Sequence, residues 1–271
     1  MKKSGVVHTE DADIAYDCEG QGPLLLLIVG GNGDSRRYVA LSALMAGAYT
    51  VVRYDRRANF RSTGDTTADL DLAQQARDAA ALTRAMDAGP AYVFGNSAGA
   101  NIAIKLTEDH PEVVKALIAH EPPIAGILAD AVEHAAIAND IHETFLTQGA
   151  GPAMKKFASS MVGVDRGAAA PPDQGGNMDR FLAHEFLSIS SYVPDLNRIR
   201  LSGVPAATAV GRASGDAYYV QTARAMAEKL GCACVEMSGN HVAFAVHPGV
   251  FAAELSEILE GFRAQSATTA D

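Results

Sequence analysis

The hydrophobic positions along the chain fall into two recurring patterns, short apolar runs and longer stretches with helical spacing. The run from Leu24 to Val29 is continuously apolar, which is typical of a strand buried on both faces of a sheet. The strand pattern predicts strands at 5–9, 14–18, 24–29, 49–54, 91–94, 113–119, 205–210 and 233–237. Because helical patterns alternate with these strands, we predict an α/β fold with a mainly parallel central sheet and helices on both faces.

The stretch from 124 to about 200 departs from this alternation. It carries helical patterns at about 126–148, 152–161 and 178–188 around a loop rich in Gly, Pro and Ala at 163–177, without any strand signal. We therefore predict a helical cap at 123–200, inserted into a core formed by 1–122 and 201–271. The remaining predicted helices are 35–47 (capped by Ser35), 70–86, 100–106, 216–230 and 248–262, followed by a frayed tail at 265–271.

The segment at 90–105, PAYVFGNSAGANIAIK, combines a short apolar strand, a G-x-S-x-G tract and a helical pattern. This order is the context of a nucleophile elbow, a sharp turn that exposes a reactive serine at the top of a sheet. Gly95 and Gly99 suit such a turn, because a Cβ at either position would collide with the strand or the helix. We therefore predict that Ser97 is a nucleophile; the alternative is a chance match in a glycine-rich loop.

A second glycine-rich tract, GGNGD at 30–34, directly follows the predicted strand at 24–29. A backbone without side chains can approach a ligand closely there, although a plain turn would look the same. The tract lacks the G-K-[ST] and G-x-G-x-x-G patterns of phosphate-binding loops, so we do not favour phosphate binding as its function.

A serine hydroxyl is a poor nucleophile until a base takes its proton, and His241 is the best placed of the eight histidines. It follows a late strand in a loop of small residues, so the chain order is serine first and histidine last. His247 is the main competitor, but Pro248 after it indicates the start of a helix. The histidines at 8, 110, 134, 142 and 184 lie at segment ends or on helices and are expected at the surface or in packing.

Two carboxylates compete to orient the histidine. Asp216 follows the strand at 205–210 but stands where a helix begins, so helix capping is its alternative role. Glu121 ends the strand after the elbow helix, is fixed by Pro122 and Pro123, and would need a partner if buried there. We favour Glu121 and keep Asp216 as the alternative acid.

Composition narrows the function classes. The 271 residues fit one α/β domain with an insertion, and the net charge of −10 without a basic patch argues against nucleic acid as a partner. The N-terminal segment has no apolar signal region, and no apolar run is long enough to span a membrane. Cys18, Cys232 and Cys234 are interpreted as buried, reduced thiols, which predicts a cytoplasmic location. We expect no cofactor and no metal, and we leave a homodimer open.

Over nearly its full length the chain resembles the α/β-hydrolases. The resemblance rests on GNSAG at 95–99, GGNGD at 30–34, YDRR at 54–57 with RS at 61–62, and GNHVAF at 239–244 with HPGVF at 247–251. More narrowly, HEPP at 120–123 and the late histidine tracts resemble the branch that contains the fungal zearalenone lactonases. This resemblance implies Ser97 as nucleophile, His241 as base, Glu121 as acid, and the backbone N–H groups of Gly31 and Ala98 as oxyanion donors.

The resemblance also implies a reaction, the cleavage of a small-molecule ester or lactone, such as a zearalenone-type macrolactone, through an acyl-enzyme. Two alternatives stay open: a carbon–carbon bond hydrolase for a diketone-like substrate, and a non-catalytic small-molecule binder. The chain departs from the branch because it has no tryptophan in the cap, and Ala58 stands where the family usually has glycine. The predicted substrate contacts, each of which could instead be core of the cap or loop, are Asn32, Met154, Phe157, Met161, Phe181, Phe186 and Tyr192.

Overall fold

All eight predicted strands form, and they lie in one sheet. The computed structural model describes residues 2–161 and 177–268. The strands are β1 (Lys2–Thr9), β2 (Ala12–Gly20), β3 (Leu24–Ile28), β4 (Thr50–Tyr54), β5 (Ala91–Asn96), β6 (Val114–His120), β7 (Ala206–Gly211) and β8 (Ala233–Met237).

The strand order across the sheet is β1-β2-β4-β3-β5-β6-β7-β8. The pairs β1–β2 and β2–β4 are antiparallel, and every later pair is parallel. Parallel strands end at the same edge of a sheet, so the loops after β3, β5, β6, β7 and β8 gather at one edge. The predicted α/β fold is confirmed.

The central strand β3 shows why its sequence is apolar at every position. Leu24, Leu26 and Ile28 belong to one hydrophobic cluster, whereas Leu25 and Leu27 belong to another. Because successive side chains of a strand point to opposite faces, each face of the sheet carries its own core. All five residues of β3 are buried.

Helices cover both faces. The helices outside the insertion are α1 (Val39–Met45), α2 (Leu72–Ala85), α3 (Ala98–Asp109), α9 (Tyr218–Leu230), α10 (Ala243–Val246) and α11 (Pro248–Thr268). The first cluster takes side chains from α2, α3, α9 and the helices between β6 and β7, and the second takes them from α1, α10 and α11. Across the described residues, no helix is both long and apolar enough to cross a membrane.

The described part of the chain between β6 and β7 contains helices joined by short turns and loops, and no strand. Its helices are α4 (Ala131–Gln148), α5 (Ala150–Ser160), α6 (Asn177–Arg180), α7 (Phe186–Ser190) and α8 (Leu196–Ser202). A π-helical turn, Phe181–Glu185, joins α6 to α7. The predicted loop at 163–177 lies outside the described residues except for Asn177, which begins a helix. The division into a core and a cap at 123–200 stays a prediction, and so do the cytoplasmic location and the homodimer.

Some local predictions are wrong. The predicted tail does not fray at 265, because α11 continues to Thr268. Ser35 does not cap a helix: Asp34 accepts from the N–H of Arg36, while the Ser35 hydroxyl donates to Asp55 Oδ1 at 2.5 Å. Cys18, Cys232 and Cys234 are free thiols, but they are half-buried rather than buried.

The turn between β5 and α3 has no room for side chains on either side of Ser97. A Cβ on Gly95 would lie 2.2 Å from the carbonyl oxygen of Gly99, and a Cβ on Gly99 would lie 2.0 Å from that of Ile28. Both neighbours are backbone atoms, which cannot rotate away. The two glycines therefore let α3 pack directly on the ends of β3 and β5.

We expect Gly99→Ala to reduce the free energy of unfolding by about 3 kcal/mol or more, or to prevent folding, because β3 would have to move. Gly261→Ala is the matched control, since its Cβ would meet no heavy atom within 4 Å inside α11. That control should gain about 0.5–1 kcal/mol from helix propensity. Urea denaturation of both variants tests this, and equal stability of the two would contradict the packing argument.

Candidate active site

Strand register brings the predicted site residues to one edge of the sheet. Asn96 pairs with His120 across β5 and β6, so Ser97 and Glu121 follow at neighbouring strand ends. The N–H of Ser97 donates to the carbonyl of His120 at 3.0 Å, and the N–H of Glu121 donates to that of Ala209 at 3.0 Å. These backbone hydrogen bonds continue the sheet past the strand ends and hold the two residues next to each other.

Ser97 adopts a backbone conformation that L-residues rarely use, with φ 56° and ψ −129°. The residue directly precedes α3, and its side chain is half-buried and lines a cavity. The helix N-terminus beneath it favours negative charge on or next to the hydroxyl oxygen. Strained backbone of this kind clusters at functional sites.

Glu121 and His241 form a buried pair. The Nδ1–H of His241 donates to Glu121 Oε2 at 2.6 Å, and the N–H of Gly211 donates to the other carboxylate oxygen at 2.8 Å. Burial is the largest influence and would raise the pKa of Glu121, but the hydrogen bond from His241 and the charges of His120 and His241 together outweigh it and lower that pKa to about 2. The carboxylate is therefore ionised at neutral pH and can only accept, which leaves Nε2 of a neutral His241 as a free acceptor.

Ser97 and His241 line the same cavity, although no hydrogen bond joins their side chains in the part of the chain that the structure describes. Hydrogen bonds between a nucleophile and its base are often long without substrate and tighten when it binds. The arrangement thus offers a hydroxyl, an acceptor nitrogen and a fixed carboxylate around one space.

Asp216 takes neither of its predicted roles. Its side chain is exposed, and the hydrogen-bond partner of His241 is Glu121. The helix α9 begins at Tyr218 with Ala217 as its N-cap and without a side-chain cap. Capping by Asp216 is therefore a wrong prediction, because the helix starts two residues later than the sequence pattern indicated.

The glycine-rich loop after β3 packs against the elbow. A Cβ on Gly30 would lie 2.7 Å from the carbonyl oxygen of Asn96 and 3.1 Å from Cβ of Ser97. Gly31 and Ala98 both line the cavity, and neither backbone N–H donates a hydrogen bond to another described residue. Two unpaired amide donors thus border the space above Ser97.

The cavity has a volume of about 350 Å³ and is lined mainly by apolar and aromatic side chains. Three phenylalanines from the inserted helices pack edge to face there, with ring centres 5.5–5.8 Å apart. The predicted contacts found in the lining are Asn32, Met154, Phe157, Met161, Phe181 and Phe186.

Tyr192 does not line this cavity, so its prediction as a substrate contact is wrong. Its hydroxyl donates to Glu108 Oε1 at 2.7 Å, and the N–H of Asp195 donates to the same oxygen at 2.9 Å. Tyr192 instead fastens the inserted segment to the end of α3. A tyrosine that pairs with a distant carboxylate gives no local sequence signal.

Sequence reasoning also missed a polar pair beneath the site. The side-chain amide of Asn96 donates to His120 Nδ1 at 2.8 Å and to the carbonyl of His241 at 3.1 Å. His120 is fully buried, and burial lowers its pKa to about 4, so it is neutral at physiological pH. Asn96 thereby holds the backbone of the His241 loop. Its position beside Ser97 in GNSAG was the available signal.

A second missed feature is a buried ion pair between the core and the inserted helices. Arg56 donates to Glu185 Oε2 at 2.6 Å and to the carbonyl of Gly30 at 3.3 Å, and both charged side chains are fully or nearly fully buried. Asn59 donates to the other oxygen of Glu185 at 2.9 Å. Removing one partner of such a pair typically costs about 3–5 kcal/mol, since the other charge stays buried alone. Arg56 therefore ties the Gly30 loop to the π-helical turn.

The structure contains no group of three or more His, Cys, Asp or Glu residues that could hold a metal ion within 2–161 and 177–268.

Comparison with known proteins identifies the family. The family model for the alpha/beta hydrolase fold matches residues 23–161, about half of the chain. The uncharacterized hydrolase YraK of Bacillus subtilis (strain 168) is 30% identical over 262 residues, which cover 95% of this chain and 96% of that protein. The chain therefore belongs to the α/β-hydrolase fold family. Within it, the protein is a hydrolase.

Solved structures agree on the fold. A thermophilic esterase from Thermogutta terrifontis superposes with a TM-score of 0.76 at 16% identity and covers 96% of this chain and 99% of its own. The enol-lactonase from Burkholderia xenovorans LB400 gives a TM-score of 0.68 at 16% identity, with 94% of this chain and 100% of its own covered. The narrower resemblance to the zearalenone lactonases stays a prediction.

Proposed function

We propose that this hydrolase cleaves a carboxylic ester or a lactone by nucleophilic catalysis at Ser97. The observation that carries the proposal is the 2.6 Å hydrogen bond between His241 Nδ1 and the buried carboxylate of Glu121, beside a strained serine on the same cavity. A nucleophile, a base and a group that orients the base are the three parts that acyl transfer to serine needs.

The chemistry proceeds in two halves. His241 Nε2 takes the proton of Ser97 Oγ as that oxygen attacks the carbonyl carbon of the substrate. The tetrahedral intermediate collapses to an acyl-serine, and the departing alcohol oxygen receives the proton from His241. A water molecule then attacks the acyl carbon by the same route, releases the acid and returns the proton to Ser97. Glu121 stabilises the imidazolium that forms in both halves.

Negative charge on the carbonyl oxygen of the intermediate is stabilised by the N–H groups of Gly31 and Ala98. Both amides border the cavity without another partner among the described residues, so no existing hydrogen bond must break. One such donor is worth about 3–4 kcal/mol of transition-state stabilisation in a site of this kind.

The walls of the cavity favour an apolar acyl or alcohol part of modest size. A volume of about 350 Å³ lies at the lower end of the range for small-molecule sites, roughly 300–1,000 Å³. The names of two structural neighbours, an esterase and an enol-lactonase, point to the same bond types. A zearalenone-type macrolactone remains the specific substrate that the narrower resemblance predicts.

Labelling by a fluorophosphonate probe tests the class of protein first. We expect stoichiometric labelling of the wild-type protein and none of Ser97→Ala, because only an activated serine reacts. Ser97→Ala should also lose more than 95% of kcat on a nitrophenyl ester while keeping its melting temperature. Without the nucleophile, only the catalysis supplied by the oxyanion donors and by substrate binding is left.

The same assay separates the alternatives. A wild-type protein that resists the probe and hydrolyses nothing would favour a non-catalytic binder. A panel of nitrophenyl esters, macrolactones and diketones distinguishes ester cleavage from carbon–carbon cleavage, and turnover of diketones alone would contradict the proposal.

The orienting carboxylate is tested by a pair of amide variants. Glu121→Gln keeps the shape but can present an N–H to His241, so we expect kcat to fall roughly 10²–10⁴-fold. Asp216→Asn is the control, because its side chain is exposed and caps no helix. Its kcat should equal that of the wild type, and its free energy of unfolding should stay within about 0.5 kcal/mol of the wild-type value. A crippled Asp216→Asn beside an active Glu121→Gln would reverse the assignment.

The oxyanion donor at Gly31 is tested by two substitutions that differ in one N–H. Gly31→Ala keeps the amide, and its Cβ would sit 3.5 Å from Phe181, an ordinary contact. Gly31→Pro removes the donor, so we expect kcat to fall about 10²–10³-fold below that of Gly31→Ala, with a smaller change in KM. Melting temperatures control for folding. Equal kcat in both variants would show that the N–H of Gly31 does not stabilise the oxyanion.

A further inference from the structure

Arg37 is an arginine at the candidate active site that the proposed reaction does not use. It lines the same cavity as Ser97 and His241. Its Cζ lies 5.9 Å from the ring centre of Phe244, which is another lining residue. The residue as a whole is half-buried, but its Nε is buried without a hydrogen-bond partner, and this burial lowers the pKa of the guanidinium below its usual value.

The neighbouring arginines show what is unusual about Arg37. Each of the other five arginines between positions 36 and 61 has a carboxylate partner within 3.0 Å, whereas Arg37 has no ion pair with any described residue. The paired set is Arg36–Asp34, Arg53–Asp17, Arg56–Glu185, Arg57–Asp78 and Arg61–Asp55.

An unpaired cation in an apolar cavity is costly, and arginine cannot escape the cost by losing its proton at ordinary pH. Buried charges in proteins are paired or bind a ligand. The surrounding apolar side chains also strengthen any attraction to an anion, because the local dielectric constant is lower than that of water. A substrate with its own negative charge would supply the missing partner.

We propose that Arg37 binds a carboxylate of the substrate, so that the ester or lactone cleaved at Ser97 carries a second, ionised carboxyl group. The planar guanidinium can donate two parallel hydrogen bonds to a carboxylate, which fixes both position and orientation. This inference rests on the proposed function, since it names the class of substrate for the same site. It disfavours the zearalenone-type macrolactone that the narrower resemblance predicts, because that lactone has no carboxylate. The carboxylate belongs either to the acid part, as in a half-ester of a dicarboxylic acid, or to the alcohol part.

Matched substrates test the wild-type enzyme directly. For the acid part, 4-nitrophenyl hydrogen glutarate is compared with neutral 4-nitrophenyl pentanoate. For the alcohol part, 4-butyryloxybenzoate is compared with 4-butyryloxybenzamide. In one pair we expect kcat/KM for the anion to exceed that of the neutral partner roughly tenfold or more, the scale of a hydrogen bond to a charged group. The pair that responds identifies the position of the carboxylate. Preference for the neutral member in both pairs would overturn the proposal.

Variants assign any such preference to this side chain. Arg37→Met should abolish the preference by lowering kcat/KM for the anion alone, and Arg37→Lys should keep part of it. Arg212→Met removes the same charge from an exposed position outside the cavity lining and should leave the preference intact. Equal losses on the anionic and neutral esters, in an Arg37→Met protein with a normal melting temperature, would contradict a role in anion binding.

A binding measurement separates failure of this inference from failure of the proposed function. Glutarate should raise the melting temperature of the wild-type protein and of Ser97→Ala, and it should not raise that of Arg37→Met. This result needs no turnover, so it stands even if Ser97 is not the nucleophile. An equal shift with Arg37→Met, or no shift in any variant, would overturn the inference. If Arg37→Met does not fold, Arg37→Lys and the wild-type substrate pairs still decide it.

Discussion

The close approach of α3 to the ends of β3 and β5 is the constraint on which the site depends. It requires that residues 95 and 99 have no side chain, since a Cβ on either would lie 2.0–2.2 Å from a backbone oxygen. The same approach forces the positive φ of Ser97 and brings the Gly30 loop against it. One steric condition therefore sets the position of the hydroxyl, the free amides at the helix start and the neighbouring loop together.

The fold and the central residues were predictable because they depend on local pattern. Hydrophobic runs gave the strands, and the strand–turn–helix context of Ser97 gave the elbow. Glu121 was chosen because it follows the end of a strand. The pairing of β6 with β7 explains why this position lies at the site, since the N–H of Glu121 donates to Ala209 in β7. Its catalytic role stays a prediction. Asp216 was misjudged as a cap because a helix pattern does not define its first residue to within two positions.

The rest was unpredictable because its partners are far apart in the chain. Arg56 and Glu185 are 129 residues apart, and Tyr192 meets Glu108 across 84. No periodicity links such positions. Arg37 illustrates the same limit through a missing partner. The sequence shows that an arginine is present, but only the structure shows which arginines form an ion pair with a carboxylate. The backbone conformation of Ala58 was likewise not visible in the sequence. Its φ of 59° explains why this position suits glycine in the family.

The buried ion pair of Arg56 and Glu185 has a consequence for how the insertion between β6 and β7 can vary. Its helices are not independent of the sheet they cover, because one of their turns supplies the counter-charge for an arginine that also touches the Gly30 carbonyl. An insertion transplanted from another hydrolase would have to bring a carboxylate to the same place. Otherwise Arg56 would need an apolar replacement at the same time. Exchange of substrate specificity by grafting is thus a problem of matching two segments, and directed evolution of the insertion alone should retain an acidic residue at 185.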